Sequence, residues 1–232
     1  LPMIRTAMAA VALLATPLLV PVAAHAEVIE QSDTHFVVRT TLDIAAQPKD
    51  VWLALIAPGD WWGDAHTWSG DAANMTLTPQ AGGCFCETIP AEDEGDDTFG
   101  LEGSVQHMVV VQAVPRKVLR MRGALGPLQS EPVDGVLTIT LQPIADPDDK
   151  GKVVGTQVVW EYVVGGAMRF EIGTISKAVD AVIAEQALGL AKAVGGVIEE
   201  AESEAEKSSK FDEAFGPDED EKTPVTGIGK GR

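Results

Sequence analysis

Only one tyrosine, two cysteines and four histidines occur among the 232 residues. Two cysteines cannot build the multiply bridged framework of a small secreted scaffold. Basic residues are scarce as well: 17 Lys and Arg stand against 35 Asp and Glu, a formal net charge of −18. Such a chain has no electrostatic footprint for nucleic acid or an anionic membrane surface, and neither is expected as a partner. The sequence holds no Gly-x-Ser-x-Gly elbow, no phosphate loop and no dinucleotide fingerprint, so nucleotide-dependent chemistry is not expected and no cofactor is called for. Apolar residues are present at 45% and charged ones at 22%. That is globular composition, which excludes wholesale disorder and collagen-like repeats.

The two ends differ from the middle. Met3 to Ala26 has the layout of a secretory leader. Arg5 is the positive start, Ala7 to Ala23 is apolar with Pro17 and Pro21 inside it, and Ala24-His25-Ala26 is a small-x-small cleavage pattern. An uncleaved anchor is the alternative, because the stretch approaches bilayer length. No later stretch is long and apolar enough to span, so a periplasmic or secreted protein without a stable membrane span is expected. At the other end Glu199, Glu200, Glu202, Glu204 and Glu206 crowd together, followed by Gly216, Pro217 and an acidic run at 218–221. Dense like charge with few apolar groups cannot offset ordering entropy, so disorder is expected from about residue 210. The resulting division is a leader over 1–26, one domain over 27–203 and an acidic tail over 204–232.

Residues 33–47 alternate between polar and apolar, which predicts a half-buried strand. Pro48 then suits a first helical turn, Val51, Trp52, Leu55 and Ile56 make an apolar stripe, and Pro58-Gly59 stops it. Strand-like runs follow at 74–79, 83–89, 103–114, 116–123, 133–145 and 153–165, with turn residues between them. The acidic loop from Pro90 to Gly100 lacks ordered calcium-ligand spacing and reads as a solvated hairpin tip. Apolar residues at three- and four-residue steps, from Ile175 to Val197, predict a long helix over 174–202. Antiparallel strands with helices grouped at each end make an α+β domain, here a curved seven-stranded sheet around the last helix, with two short helices after the first strand.

Several local motifs accompany this order. They are Pro48-x-x-Val51-Trp52-x-x-Leu55, the Trp61-Trp62 pair, Gly82-Gly83-x-Phe85-x-Glu87, and Val114-Pro115-x-x-Val118-Leu119. Over about 33–200 the chain resembles the START-like, or SRPBCC, superfamily with its helix-grip fold. It is most similar to the polyketide cyclase/dehydrase branch and the related activator of heat-shock ATPase branch. The resemblance implies the fold. For function it implies only a set of classes, since carriers, cyclases, hydrolases and regulatory modules share this fold. The leader and acidic tail depart from cytosolic members, and an exported chain would not meet a heat-shock ATPase.

Strand alternation assigns an inner face. Val105, His107, Val109 and Val111 share one side of 103–112. Leu119 and Met121 face in on the next strand, then Leu137, Ile139 and Leu141, then Val158, Trp160 and Tyr162. Trp61, Trp62 and Trp68 gather near the expected cavity mouth, beside His66, whose side chain is a candidate general base. On 83–89 the period of two allows either Phe85 and Glu87 inside, or Cys84 and Cys86. Glu87 inside beside His107 would be an acid/base pair. Cα atoms two apart on a strand lie about 6.6–6.8 Å from each other, at the outer limit for a disulfide, so two free buried thiols are expected. A bridge, or a metal site shared with His66 or His107, remains open. No spacing resembles a zinc motif, and no metal is assigned. The expected function is binding of a hydrophobic small molecule (a lipid, polyketide or aromatic compound). The alternative is a cofactor-independent cyclase, dehydratase or hydrolase using His107, Glu87 and His66.

Overall fold

Alternating apolar and polar residues build one antiparallel sheet, and a single long amphipathic helix covers part of it. The computed structural model describes residues 25–91 and 100–198. The strands are β1 (His25–Gln31), β2 (His35–Ile44), β3 (Met75–Leu77), β4 (Cys84–Ile89), β5 (Gly103–Val114), β6 (Val118–Arg122), β7 (Val133–Ala145) and β8 (Val153–Gly166). Their order across the sheet is β1-β2-β8-β7-β6-β5-β4-β3. The α+β expectation holds, but the sheet has eight strands rather than seven. The extra strand, β1, pairs with β2 from His25↔Thr41 to Gln31↔Phe36 across an irregularity at Val28/Glu30. Residues 1–24 of the expected leader, the tip of the acidic loop and the acidic tail lie outside the described residues.

α1 (Pro48–Leu55) starts on its proline and buries Val51, Trp52 and Leu55. Three 3-10 turns, Pro58–Asp60, Asp64–His66 and Ala72–Asn74, then carry the chain to β3. They stand where a second short helix was expected. α2 (Ile172–Val194) is capped by Glu171, whose carboxylate accepts the backbone N–H groups of Gly173 and Thr174 at 2.9 and 2.6 Å. It ends eight residues short of the predicted boundary at 202, because Gly195 turns out of the helix with φ 131°. The N–H of Gly196 closes the last turn onto Ala191 O at 2.7 Å. Ile175, Ile183, Ala187, Leu190 and Ala191 are the buried stripe of α2. Leu119 and Met121, Leu137 and Ile139, and Val158, Trp160 and Tyr162 are all buried as alternation assigns them. Each such side chain removed from water contributes about 1.5–3 kcal/mol before entropy is counted.

β5 breaks the expected phase. Phe85 pairs with Met108 but Cys86 pairs with Gln106, so His107 is an extra residue on β5. A second irregularity falls between Val110 and Gln112. An inserted residue flips the face of every side chain beyond it. Met108 and Val110 are therefore the buried residues, Val111 is 47% exposed, and half-buried Val109 sits opposite Cys84 on the other face. Val109 and Val111 are corrected from inner to outer.

Candidate functional site

The site is assembled around a buried carboxylate. Phe85 and Glu87 share the inner face of β4 and are 2% and 1% exposed. The period of two then turns Cys84 and Cys86 the other way, and the two are joined as a disulfide. This corrects the expectation of two free thiols. The Cα atoms of Cys84 and Cys86 lie 5.4 Å apart, inside bonding range and closer than the spacing of a regular strand. Neither sulfur is left for a metal. Among the described residues no three His, Cys, Asp or Glu side chains converge on one point.

Glu87 accepts from three directions. The backbone N–H of Trp68 donates to Oε2 at 3.0 Å, the N–H of Ser69 donates to Oε1, and His107 Nε2 lies 2.9 Å from Oε2. Burial alone would raise the Glu87 pKa, but these hydrogen bonds outweigh it and hold the carboxyl below its ordinary range. Burial pushes His107 the other way, down from its ordinary value, and prevails over the attraction of Glu87. At neutral pH the pair is thus carboxylate and neutral imidazole. A carboxylate only accepts, so Nε2 carries the ring proton and Nδ1 keeps its lone pair. Among the described residues nothing donates to Nδ1.

The loop that feeds Glu87 its donors is itself tied down. Trp62 Nε1 donates to His66 O at 3.1 Å, Thr67 Oγ1 to Asp64 O at 2.8 Å, and Ala72 N to Asp64 Oδ1 at 2.9 Å. Two bonds fasten it to α2: Gly63 N to Gln186 Oε1 at 2.8 Å, and His66 Nε2 to Glu185 Oε2 at 3.1 Å. His66 is therefore a rim residue, far enough into the loop to bond α2 rather than Glu87.

Between this loop, α2 and the sheet lies a cavity of about 300 Å³. Trp62, Ala65, His66, Thr67 and Trp68 bound it on the loop side, and His107 and Tyr162 on the sheet. The 3-10 turn Gly126–Ser130 and the residue before it contribute Leu125, Gly126 and Pro127. α2 supplies Ile175, Ala178, Val179, Val182 and Ile183. Tyr162 is held in place by donating to Gly123 O at 3.2 Å and accepting from Leu125 N at 3.1 Å. Gly135 permits this, since a Cβ there would stand 2.6 Å from the Tyr162 hydroxyl. Glu131, buried at the end of the turn, accepts Arg169 N, Nε and Nη2 at 2.8, 2.9 and 2.6 Å. That clamp fastens the turn to the segment entering α2, so both sides of the cavity are anchored.

Of the residues expected to line the pocket, the structure brings Trp62, Trp68, His107 and Tyr162 to this cavity. Trp61, Phe85, Leu119, Met121, Leu137, Ile139 and Trp160 instead surround a void of about 10 Å³, beneath it. They are packed core. Trp61 plugs that region, with its ring centroid 5.6 Å from Trp62 and 6.0 Å from Trp160. Val105 and Val109 border a shallow depression on the β5 side that also touches His107, not the cavity. Sequence reasoning missed the α2 wall and the Leu125–Pro127 turn. The signal for the wall was present: Val179 and Val182 belong to the apolar stripe of α2 yet lie over the sheet's hollow rather than on its side chains.

No family model matches the chain, and no curated protein matches it. Solved structures resemble it at low similarity. An uncharacterised protein from Rhizobium leguminosarum is 19% identical over 68% of this chain and 95% of that chain, with a TM-score of 0.45. DynU16, a protein of the dynemicin biosynthetic locus, is 14% identical over 74% of this chain and 52% of its own, with a TM-score of 0.40. A Thalictrum norcoclaurine synthase mutant, solved with a transition-state analogue, is 12% identical over 71% of this chain and 99% of its own, at 0.36.

Proposed function

We propose that this chain is an exported helix-grip protein of the polyketide cyclase/dehydrase-like kind that binds one compact hydrophobic molecule beneath α2. The observation that carries the reading is the anchored cavity of about 300 Å³ with its apolar walls and His107 among the residues that line it. That volume is at the small end for ligand sites, and the balance of apolar wall with few polar groups is what such sites use. Export rests on the leader-like start, and a periplasmic or secreted location follows from it.

A second reading is carried by the Glu87–His107 pair. A carboxylate that fixes a neutral imidazole, with the far nitrogen free, is the arrangement of a general base. On that reading the chain is a cofactor-independent cyclase, dehydratase or hydrolase, and proton transfer falls to His107 with Glu87 stabilising the imidazolium.

His107→Gln separates the two. It keeps a polar group of similar reach and removes the titrating nitrogen. A binding protein retains its ligand affinity within about 1–1.5 kcal/mol, the net worth of one hydrogen bond. An enzyme using His107 loses about 10²–10⁴-fold in turnover while still binding. Unchanged binding and unchanged turnover together would remove His107 from the site.

A further inference from the structure

We propose that the occupant of this cavity is a neutral ring compound carrying one O–H donor of phenol type, and not an anionic carboxylate lipid. The inference rests on the binding reading and narrows its ligand class. It comes from the side-chain polar groups of the residues that line the cavity. The Tyr162 hydroxyl donates to Gly123 O and accepts from Leu125 N, and the Thr67 hydroxyl donates its proton to Asp64 O. Trp68 Nε1 is spent on Gln129 Oε1 at 3.1 Å. His66 Nε2 faces Glu185 at the rim. Without a protein partner among the described residues are His107 Nδ1, an acceptor because Nε2–H is committed to Glu87, and His66 Nδ1 at the rim. A ligand complementary to one acceptor brings one donor.

Charge excludes the anion. No Lys or Arg borders the cavity among the described residues. The Glu87 carboxylate lies 2.9 Å from His107 Nε2, and the Glu185 carboxylate 3.1 Å from His66 Nε2 at the rim. A carboxylate ligand would meet an acceptor nitrogen with a like charge behind it, in a poorly solvated space, and lose its hydration without a partner. Shape favours a ring. Trp62 and Trp68 from the loop and Tyr162 from the sheet line the space together with the aliphatic side chains of Val179, Val182 and Ile183 from α2, aromatic and aliphatic groups around a small volume. A phenol is a stronger hydrogen-bond donor than an aliphatic alcohol.

Three probes of one shape decide it. 1-Naphthol, naphthalene and 1-naphthoate are titrated into the full chain at pH 7.5 by competition with an apolar fluorescent dye. Naphthol should bind about five- to tenfold tighter than naphthalene, the effect of one added hydrogen bond. Naphthoate should bind more weakly than naphthalene. His107→Phe should erase the naphthol advantage and leave naphthalene binding in place, and Ala178→Trp should weaken all three by filling the cavity. The comparison on the unmodified chain stands even where a variant fails to fold. If naphthalene equals naphthol, or naphthoate binds best, the donor class is wrong while the cavity reading survives. If none of the three displaces the dye, or Ala178→Trp changes nothing, the cavity reading itself fails.

Discussion

Glu87 and His107 respond to acid in sequence, and the order follows from their environments. Burial holds the folded His107 pKa below its ordinary value of 6.5. As pH falls, the unfolded chain takes up that proton first, so stability is fully present above about 6.5 and is lost below it. Glu87 is also depressed, from 4.5, by its donors. Its contribution is present above 4.5 and declines at lower pH. The thermal midpoint should therefore be flat from pH 8 to 7, slope downward below 6.5, and slope further below 4.5. In His107→Gln the upper slope should diminish and the lower one remain. His35 and His66 are common to both proteins, so the difference isolates His107. Identical curves for the two proteins would assign the upper slope elsewhere.

At the scale of elements, the wall of the cavity is α2 and not the middle of β5. Val179→Arg puts a charged, bulky group into the apolar space, where it is either unpaired or fills the volume. Apolar dye binding should be abolished while circular dichroism keeps the native spectrum. Val109→Arg, on the outer face beside Cys84, should bind dye like the unmodified chain. Loss of binding in Val109→Arg with retention in Val179→Arg would reverse the assignment. This contrast also shows what the sequence discloses. β5 and β7 were legible to their terminal residues, because long alternating runs bounded by turn residues admit one period. The inner faces of β6, β7 and β8 were legible for the same reason. The inner face of β5 was not, since a bulge costs no distinctive residue and shifts the phase silently. The disulfide was missed because the expectation used the spacing of an ideal strand, and Cys84 and Cys86 stand closer than that, at 5.4 Å. The end of α2 was overrun because the apolar periodicity continues through Val197, while Gly195 and Gly196 stop the helix inside it. Of the site itself, the pairing of Glu87 with His107 was read as one of two options. The donors from Trp68 and Ser69, which fix the charge state, come from a loop whose path no periodicity encodes.

At the scale of the whole molecule, β1 is an edge strand, and the expected processing point lies inside it. Ala26 pairs with Thr40 and Glu27 with Arg39. A peptidase needs its target as a free extended segment that can enter a cleft, and a backbone already bonded to β2 is not free. On the proposed export route, cutting after Ala26 must then come before β1 docks. Precursor held unfolded should be cut by a leader peptidase after Ala26 to leave Glu27 first, and precursor allowed to fold beforehand should resist. Equal cleavage of both would show that β1 opens readily. On that proposed route the sheet would act as a clock, because β1 zipped onto β2 with the leader still attached would hold the cleavage point in the sheet.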